Sequence, residues 1–265
     1  MSADFWVMRP FNAVFCVVSA AFLLLLIVAS CILRGKDVRI RKGVIVCFSA
    51  FALIGYFAYK GALSVDREYD ILMAEMGGFN WWGELPLHLC NINMILIPVA
   101  VIWDKRPLMS FAFFVGPLGA LMALIMPGVG FDGHSLLLPR MLGYYGTHFA
   151  IVIEALALAT FGLYRPRFRD LPRTVLTILA IALAIFGINM LLRTTGLHPR
   201  ANYFYSVETE GNPLLDLFYS WIPAPFLYLL PAIGLLVGYM ALVMLVFAGA
   251  ERIQALRRAK ARPDR

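Results

Sequence analysis

The sequence predicts an all-α polytopic membrane protein: a bundle of seven transmembrane helices, N-terminus outside and C-terminus cytoplasmic. Three observations carry that reading. Of 265 residues, 61% are hydrophobic and 15% charged, and a soluble chain of this length has too little interior to hide so much apolar surface. The apolar residues fall in blocks near the roughly 20 residues that cross a bilayer. The basic residues cluster between alternate blocks, as the positive-inside rule requires of a multi-pass chain.

The blocks run in order over 11–33, 44–63, 85–103, 108–127, 141–163, 172–192 and 225–248. The first also resembles a signal peptide, with "VASC" (28–31) in the place of a lipoprotein processing site. Asp4 precedes Arg9, however, and the basic run "RGKDVRIRKG" directly after Cys31 would have to be translocated, so the block is expected to stay as a span. Of the 23 Lys and Arg residues, 17 fall in the first, third and fifth connections and the tail (249–265). That split sets the orientation, and an odd number of crossings agrees with it. Trp6, Trp81, Trp82 and Trp221 sit near outer ends and Trp103 near an inner one, as an interfacial belt would place them. "GLLVG" (234–238) in the last block reads as close helix packing. There is no internal repeat or second domain, so residues 1–265 form one unit. The +7 charge concerns topology in the cell membrane, and nucleic acid is not an expected partner.

The third block is the anomaly. "LPLHLCNIN" (85–93) carries His88, Cys90, Asn91 and Asn93 in a stretch apolar enough to enter a membrane. If the block is helical throughout, His88 and Cys90 lie about 200° apart and face opposite ways, so both faces need protein neighbours and the segment is expected to be central. A base for Cys90 then has to come from another helix. His148, beside Tyr144, is the histidine firmly inside one, and Asn189, Arg140 and Arg193 converge on the same outer level. Intramembrane polar residues are functional candidates, yet each has a plainer reading. Cys90 can be an inert buried thiol like Cys16, Cys31 and Cys47; the asparagines can hold helices together; His148 can bond to Tyr144 or Tyr145. Glu154, near mid-span and about 120° from His148, is expected to be protonated or paired. The H-x-C spacing suits a strand or loop better than a helix, and no second clustered pair exists, so no metal is expected. The scattered cysteines give no disulfide framework.

"LPLHLCNIN" at the head of the third block resembles the YwaF-type family of bacterial integral membrane proteins. "YYGTHFAIV" (144–152), "ANYFY" (201–205) and "NPLLDLF…WIPAPFLYLLP" (212–231) follow in order. That family is similar to the eukaryotic transmembrane acyltransferases that remodel ether phospholipids through a cysteine nucleophile, and more distantly to androgen-induced fatty-ester hydrolases. The resemblance implies a cysteine nucleophile at Cys90 and a histidine at His148, with membrane lipids as substrates and no cofactor. It assigns no role to His88, Asn202 or Tyr203. An imidazole that takes the thiol proton makes a thiolate able to attack an acyl ester. Asn91, Asn93 or Asn189 are candidates to donate to the oxyanion, and Arg140 or Arg193 to hold a lipid phosphate. His88, Tyr144 and Asn202 complete the supporting set. Two other readings use the same residues: a transporter or ligand-binding sensor with an outward cavity and a proton-coupled Glu154, or a structural subunit whose polar groups only join helices.

Overall fold

The computed structural model describes residues 6–74, 78–128 and 130–260; Asp4 and the end of the basic tail, 261–265, lie outside them. Among the described residues the regular elements are helices, apart from one two-residue ladder, joined by turns and loops. Six helices are long and apolar enough to cross a membrane: α1 (Ala13–Leu33), α2 (Val38–Leu63), α5 (Arg106–Ile125), α6 (Pro139–Thr160), α7 (Leu171–Thr194) and α9 (Leu230–Lys260). Between them lie α3 (Arg67–Leu72), α4 (Asn93–Ile102) and α8 (Pro213–Trp221).

Local chemistry sets the ends. The Asn12 side chain accepts the Phe15 amide at 2.9 Å and starts α1. Asp37 accepts the Arg39 amide at 2.7 Å, so α2 begins six residues before its hydropathy block and takes the basic run 39–42 into its first turn. Proline opens α5, α6 and α7, where its missing N–H is no loss. The tail, expected to be a solvated end from 249, continues α9 as helix to Lys260.

The third block departs from expectation. Residues 85–92 are turns, and only Asn93–Ile102, ten residues, is α-helix. Pro86 removes a donor, and the chain is tied elsewhere. The Tyr203 hydroxyl donates to the Trp82 carbonyl at 2.5 Å and accepts the Leu85 amide at 3.1 Å. Non-helical backbone at membrane depth is tolerated where protein covers it, and Cys90 through Met94 are all buried. The 200° separation of His88 from Cys90 therefore does not apply.

α5 and α6 form the centre, with most of their apolar windows buried, while α1 and α9 lie at the edge and bury only a small part of theirs. α4 packs among α2, α5 and α6. Two close approaches draw these elements together. A Cβ on Gly143 of α6 would sit 2.2 Å from the Tyr59 ring of α2, and one on Gly119 of α5 would lie 3.4 Å from the Cys90 backbone nitrogen. At one end, Val7–Met8 pairs antiparallel with His134–Ser135 and pins the start of the chain to the α5–α6 connection.

Candidate functional site: a buried thiol and imidazole

Of the four cysteines, Cys16, Cys31 and Cys47 are exposed on the outside of the bundle and Cys90 is buried. The turn 85–92 delivers Cys90 to the N-terminal half of α6, where its Sγ lies 3.5 Å from His148 Nε2. The other ring nitrogen, Nδ1, is 2.7 Å from the Tyr144 carbonyl one turn earlier. A carbonyl only accepts, so Nδ1 carries the hydrogen and Nε2 presents its lone pair to the thiol. The Tyr144 ring packs on the imidazole at 4.4 Å and its hydroxyl is tied to the Ala123 carbonyl at 2.8 Å. Tyr144 thus orients His148 through its backbone and its ring, not through its phenol.

The backbone around the sulfur has donors to spare. Ile92, Asn93 and Met94 donate to His88, Cys90 and Asn91 carbonyls, so the helical bonding of α4 starts one turn before its regular geometry. The amides of Cys90 and Asn91 occupy the open first turn and lie against the thiol. A helix N-terminus presents such amides as partial positive charge, which favours an anion there.

The asparagines divide. Asn91 Oδ1 accepts from the Cys90 thiol at 3.5 Å. Asn93 Nδ2 is held by the Leu89 and Cys90 carbonyls at 2.9 and 3.1 Å, which withdraws it as an oxyanion donor. Asn189 is withdrawn too: its amide donates to the Tyr203 carbonyl and the Ser206 hydroxyl, both at 2.8 Å, and accepts the Tyr203 amide at 3.0 Å. Asn202 accepts the Val207 and Glu208 amides and donates to the Glu208 carbonyl and the Glu210 carboxylate; it shapes the 201–210 loop. Burial raises the Glu210 carboxyl above the usual carboxylate range, against the lowering pull of that Asn202 bond. His88 stacks edge-on against Tyr203 at 4.9 Å.

Both arginines expected to hold a phosphate have partners inside the protein. Arg140 is buried and pairs with Asp66 at 2.8 Å and Glu68 at 3.0 Å. Arg193 donates to the Ala201 carbonyl and to Glu208 at 2.7 and 2.8 Å. Glu154 is fully buried with neither carboxylate oxygen hydrogen-bonded, beside Ser49 of α2 and away from the pair. No group of three or more His, Cys, Asp or Glu among the described residues is placed to hold a metal.

The structure adds residues that sequence reasoning missed. Lys60, counted there only as a topology charge, is buried and ion-paired with Glu84, its ammonium 4.7 Å from the Tyr59 ring centre. Its charge reaches His88, Cys90 and His148. The phenols of Tyr59, Tyr144 and Tyr205 also lie within electrostatic range of Cys90. Lys60 and Glu84 are 24 residues apart, on either side of the connection that holds α3, and only a lysine at the end of an apolar block hinted at the pair. Gly116 and Gly119, spaced by one turn in "VGPLGA", signalled a close approach on α5.

These features define an all-helical, multi-pass membrane protein whose core carries a thiol–imidazole contact among buried polar groups. Within that class the chain belongs to the TMEM164 family, whose model matches residues 7–248. No curated protein and no solved structure matches it.

Proposed function

We propose that this protein is a lipid acyltransferase or esterase of the cell membrane in which Cys90 is the nucleophile and His148 the general base. The observation that carries the reading is the 3.5 Å contact between Cys90 Sγ and His148 Nε2, with the opposite ring nitrogen fixed on a carbonyl. That geometry supplies an activated nucleophile: a proton acceptor within reach and oriented by a third group. The ordered resemblance to YwaF-type proteins and the ether-phospholipid acyltransferases supports the same assignment.

The reaction balances on these groups. Nε2 takes the thiol proton, and the thiolate attacks the ester carbonyl carbon to form a carbon–sulfur bond. The carbonyl oxygen gains charge, for which the Cys90 and Asn91 amides are the nearest free donors. The carbon–oxygen bond to the leaving alcohol breaks as the imidazolium returns its proton to that oxygen. A lysolipid hydroxyl or water then gives its proton to Nε2, attacks the thioester and restores the thiol.

The lipid substrate class follows from depth. Charge asymmetry favours seven crossings with the N-terminus outside, the third made of the turn 85–92 and α4. Cys90 then lies just beneath the outer headgroups, at the level of glycerol ester carbonyls.

The test is acyl transfer in vesicles containing phospholipid and lysophospholipid, with products read by mass spectrometry. Wild type is expected to exchange chains, and Cys90→Ala and His148→Ala to fall to background. Transfer by Cys90→Ala at the wild-type rate would end the proposal.

A further inference from the structure

At the opposite end of α6 from the pair, the structure holds a cavity of about 380 Å³ lined by Ser30, Arg34, Arg41, Thr160, Phe161 and Gly162, among others. This lies within the roughly 300–1,000 Å³ typical of small-molecule sites. His148 is twelve residues before Thr160, roughly 18 Å along the helix, so the cavity is separate from the thiol–imidazole contact. It forms where the α1–α2 connection, turned by Gly35 at φ +80°, meets the end of α6, turned by Gly162 at φ +70°.

The basic residues at this end are not equivalent. Lys42 is paired with Asp104 at 2.5 Å, Arg106 with Asp170 at 2.5 Å, and Arg165 with Glu251. Arg34 and Arg41, which line the cavity, pair with no carboxylate among the described residues. Arg41 is anchored by one nitrogen: Nη1 donates to the Phe161 carbonyl and would lie 3.1 Å from a Cβ at position 162. Glycine there gives the guanidinium its seat. Its Nε is buried with no acceptor and is closed to any ligand, which leaves Nη2, with no hydrogen bond among the described residues, as the nitrogen that meets the cavity.

From this we infer a binding site for a phosphate group, with Arg41 Nη2 and the Arg34 guanidinium as its donors. A guanidinium offers parallel N–H groups that match phosphate oxygens, and a partly enclosed setting strengthens such charge-assisted bonds. The Ser30 hydroxyl is taken by the Leu26 carbonyl at 2.7 Å, and α1 and α6 both present C-terminal carbonyls here, so the two guanidiniums and the Thr160 hydroxyl have to supply the attraction. The shared chemistry is the phosphate anion, from either an anionic phospholipid or free phosphate.

The test uses the full chain in nanodiscs of phosphatidylcholine, titrated either with phosphatidylglycerol in the bilayer or with inorganic phosphate in solution. The readouts are thermal unfolding and lipid retained in native mass spectrometry. A rise in Tm with phosphatidylglycerol alone identifies a lipid site, and a rise with inorganic phosphate identifies a soluble one. In either case Arg34→Gln is expected to weaken binding about tenfold, and Arg41→Gln at least as much. The Arg34 side chain makes no hydrogen bond or ion pair among the described residues, so its variant keeps the test meaningful if Arg41→Gln fails to fold. No rise with either ligand, or Arg34→Gln and Arg41→Gln both binding like wild type, would overturn the site.

Discussion

Two sets of buried polar residues face the same end of the bundle, and they are built to different ends. In the cap, Asn189 and Asn202 direct their amides to backbone groups of 201–208 or to a neighbouring side chain. Such closed bonding stabilises a loop and leaves little capacity for a ligand. At Cys90 and His148 the scaffold is held by Nδ1 on one carbonyl and Asn93 Nδ2 on two, while Asn93 Oδ1 is buried without a partner. The sulfur and Nε2, however, meet at 3.5 Å, no closer than the sulfur lies to Asn91 Oδ1. A thiol is a weak donor, so that contact contributes little to stability. The difference teaches where chemistry can reside: polar groups held firmly on one side and loosely on the other remain available to a substrate.

Substitutions should separate the two sets. The largest effect is expected from Cys90→Ala, with acyl transfer lowered by at least about 10³-fold, by analogy with loss of a triad nucleophile. Its Tm should stay within a few degrees of wild type. A large fall in Tm would move Cys90 into the structural class.

Asn189→Ala should behave in the opposite way. It removes three buried hydrogen bonds, so unfolding should become easier by about 2–4 kcal/mol, measured by thermal or chemical unfolding in detergent. An unchanged Tm would mean that the cap is not held as described.

Tyr203→Phe joins the two regions, because one phenol fixes the Trp82–Leu85 turn that leads into Cys90. A loss of about 1–2 kcal/mol is expected together with lower activity. Stability loss with full activity would show that the Cys90 turn keeps its shape without the staple.

The smallest effect concerns pH at the rim. Burial alone would raise Asp66, but the Tyr69 amide and the Arg140 guanidinium outweigh it and hold its carboxyl below the usual range. A carboxyl lowered in the folded state stabilises above its unfolded pKa, about 3.9. That stability is lost as pH falls through the folded value. Tm should therefore drop between about pH 5 and 3 more steeply in wild type than in Asp66→Asn. Parallel curves would remove Asp66 from the account.

The spans were legible in the sequence because crossing a bilayer demands a long apolar run, and α1, α5, α6 and α7 follow their blocks closely. The juxtaposition of Cys90 and His148 was legible for a related reason, since few polar residues enter such runs and depth alone groups them. What escaped was set by contacts distant in sequence. Residues 85–92 have the hydropathy of a helix, but Pro86 and the Tyr203 phenol, more than a hundred residues away, hold them as turns. Arg140 and Arg193 look like free rim cations until Asp66, Glu68 and Glu208 are brought beside them. Lys60 entered the topology count as a single basic residue, and nothing in such a count pairs it with Glu84, 24 residues on.

The central claim, that Cys90 carries the acyl group, is tested most directly by intact-protein and peptide mass spectrometry after incubation with phospholipid in vesicles. The account predicts one added acyl mass on the peptide containing Cys90 in wild type, and none on Cys90→Ala or His148→Ala. Chain transfer without any acyl adduct on Cys90, or the adduct appearing equally on Cys16, Cys31 or Cys47, would contradict it.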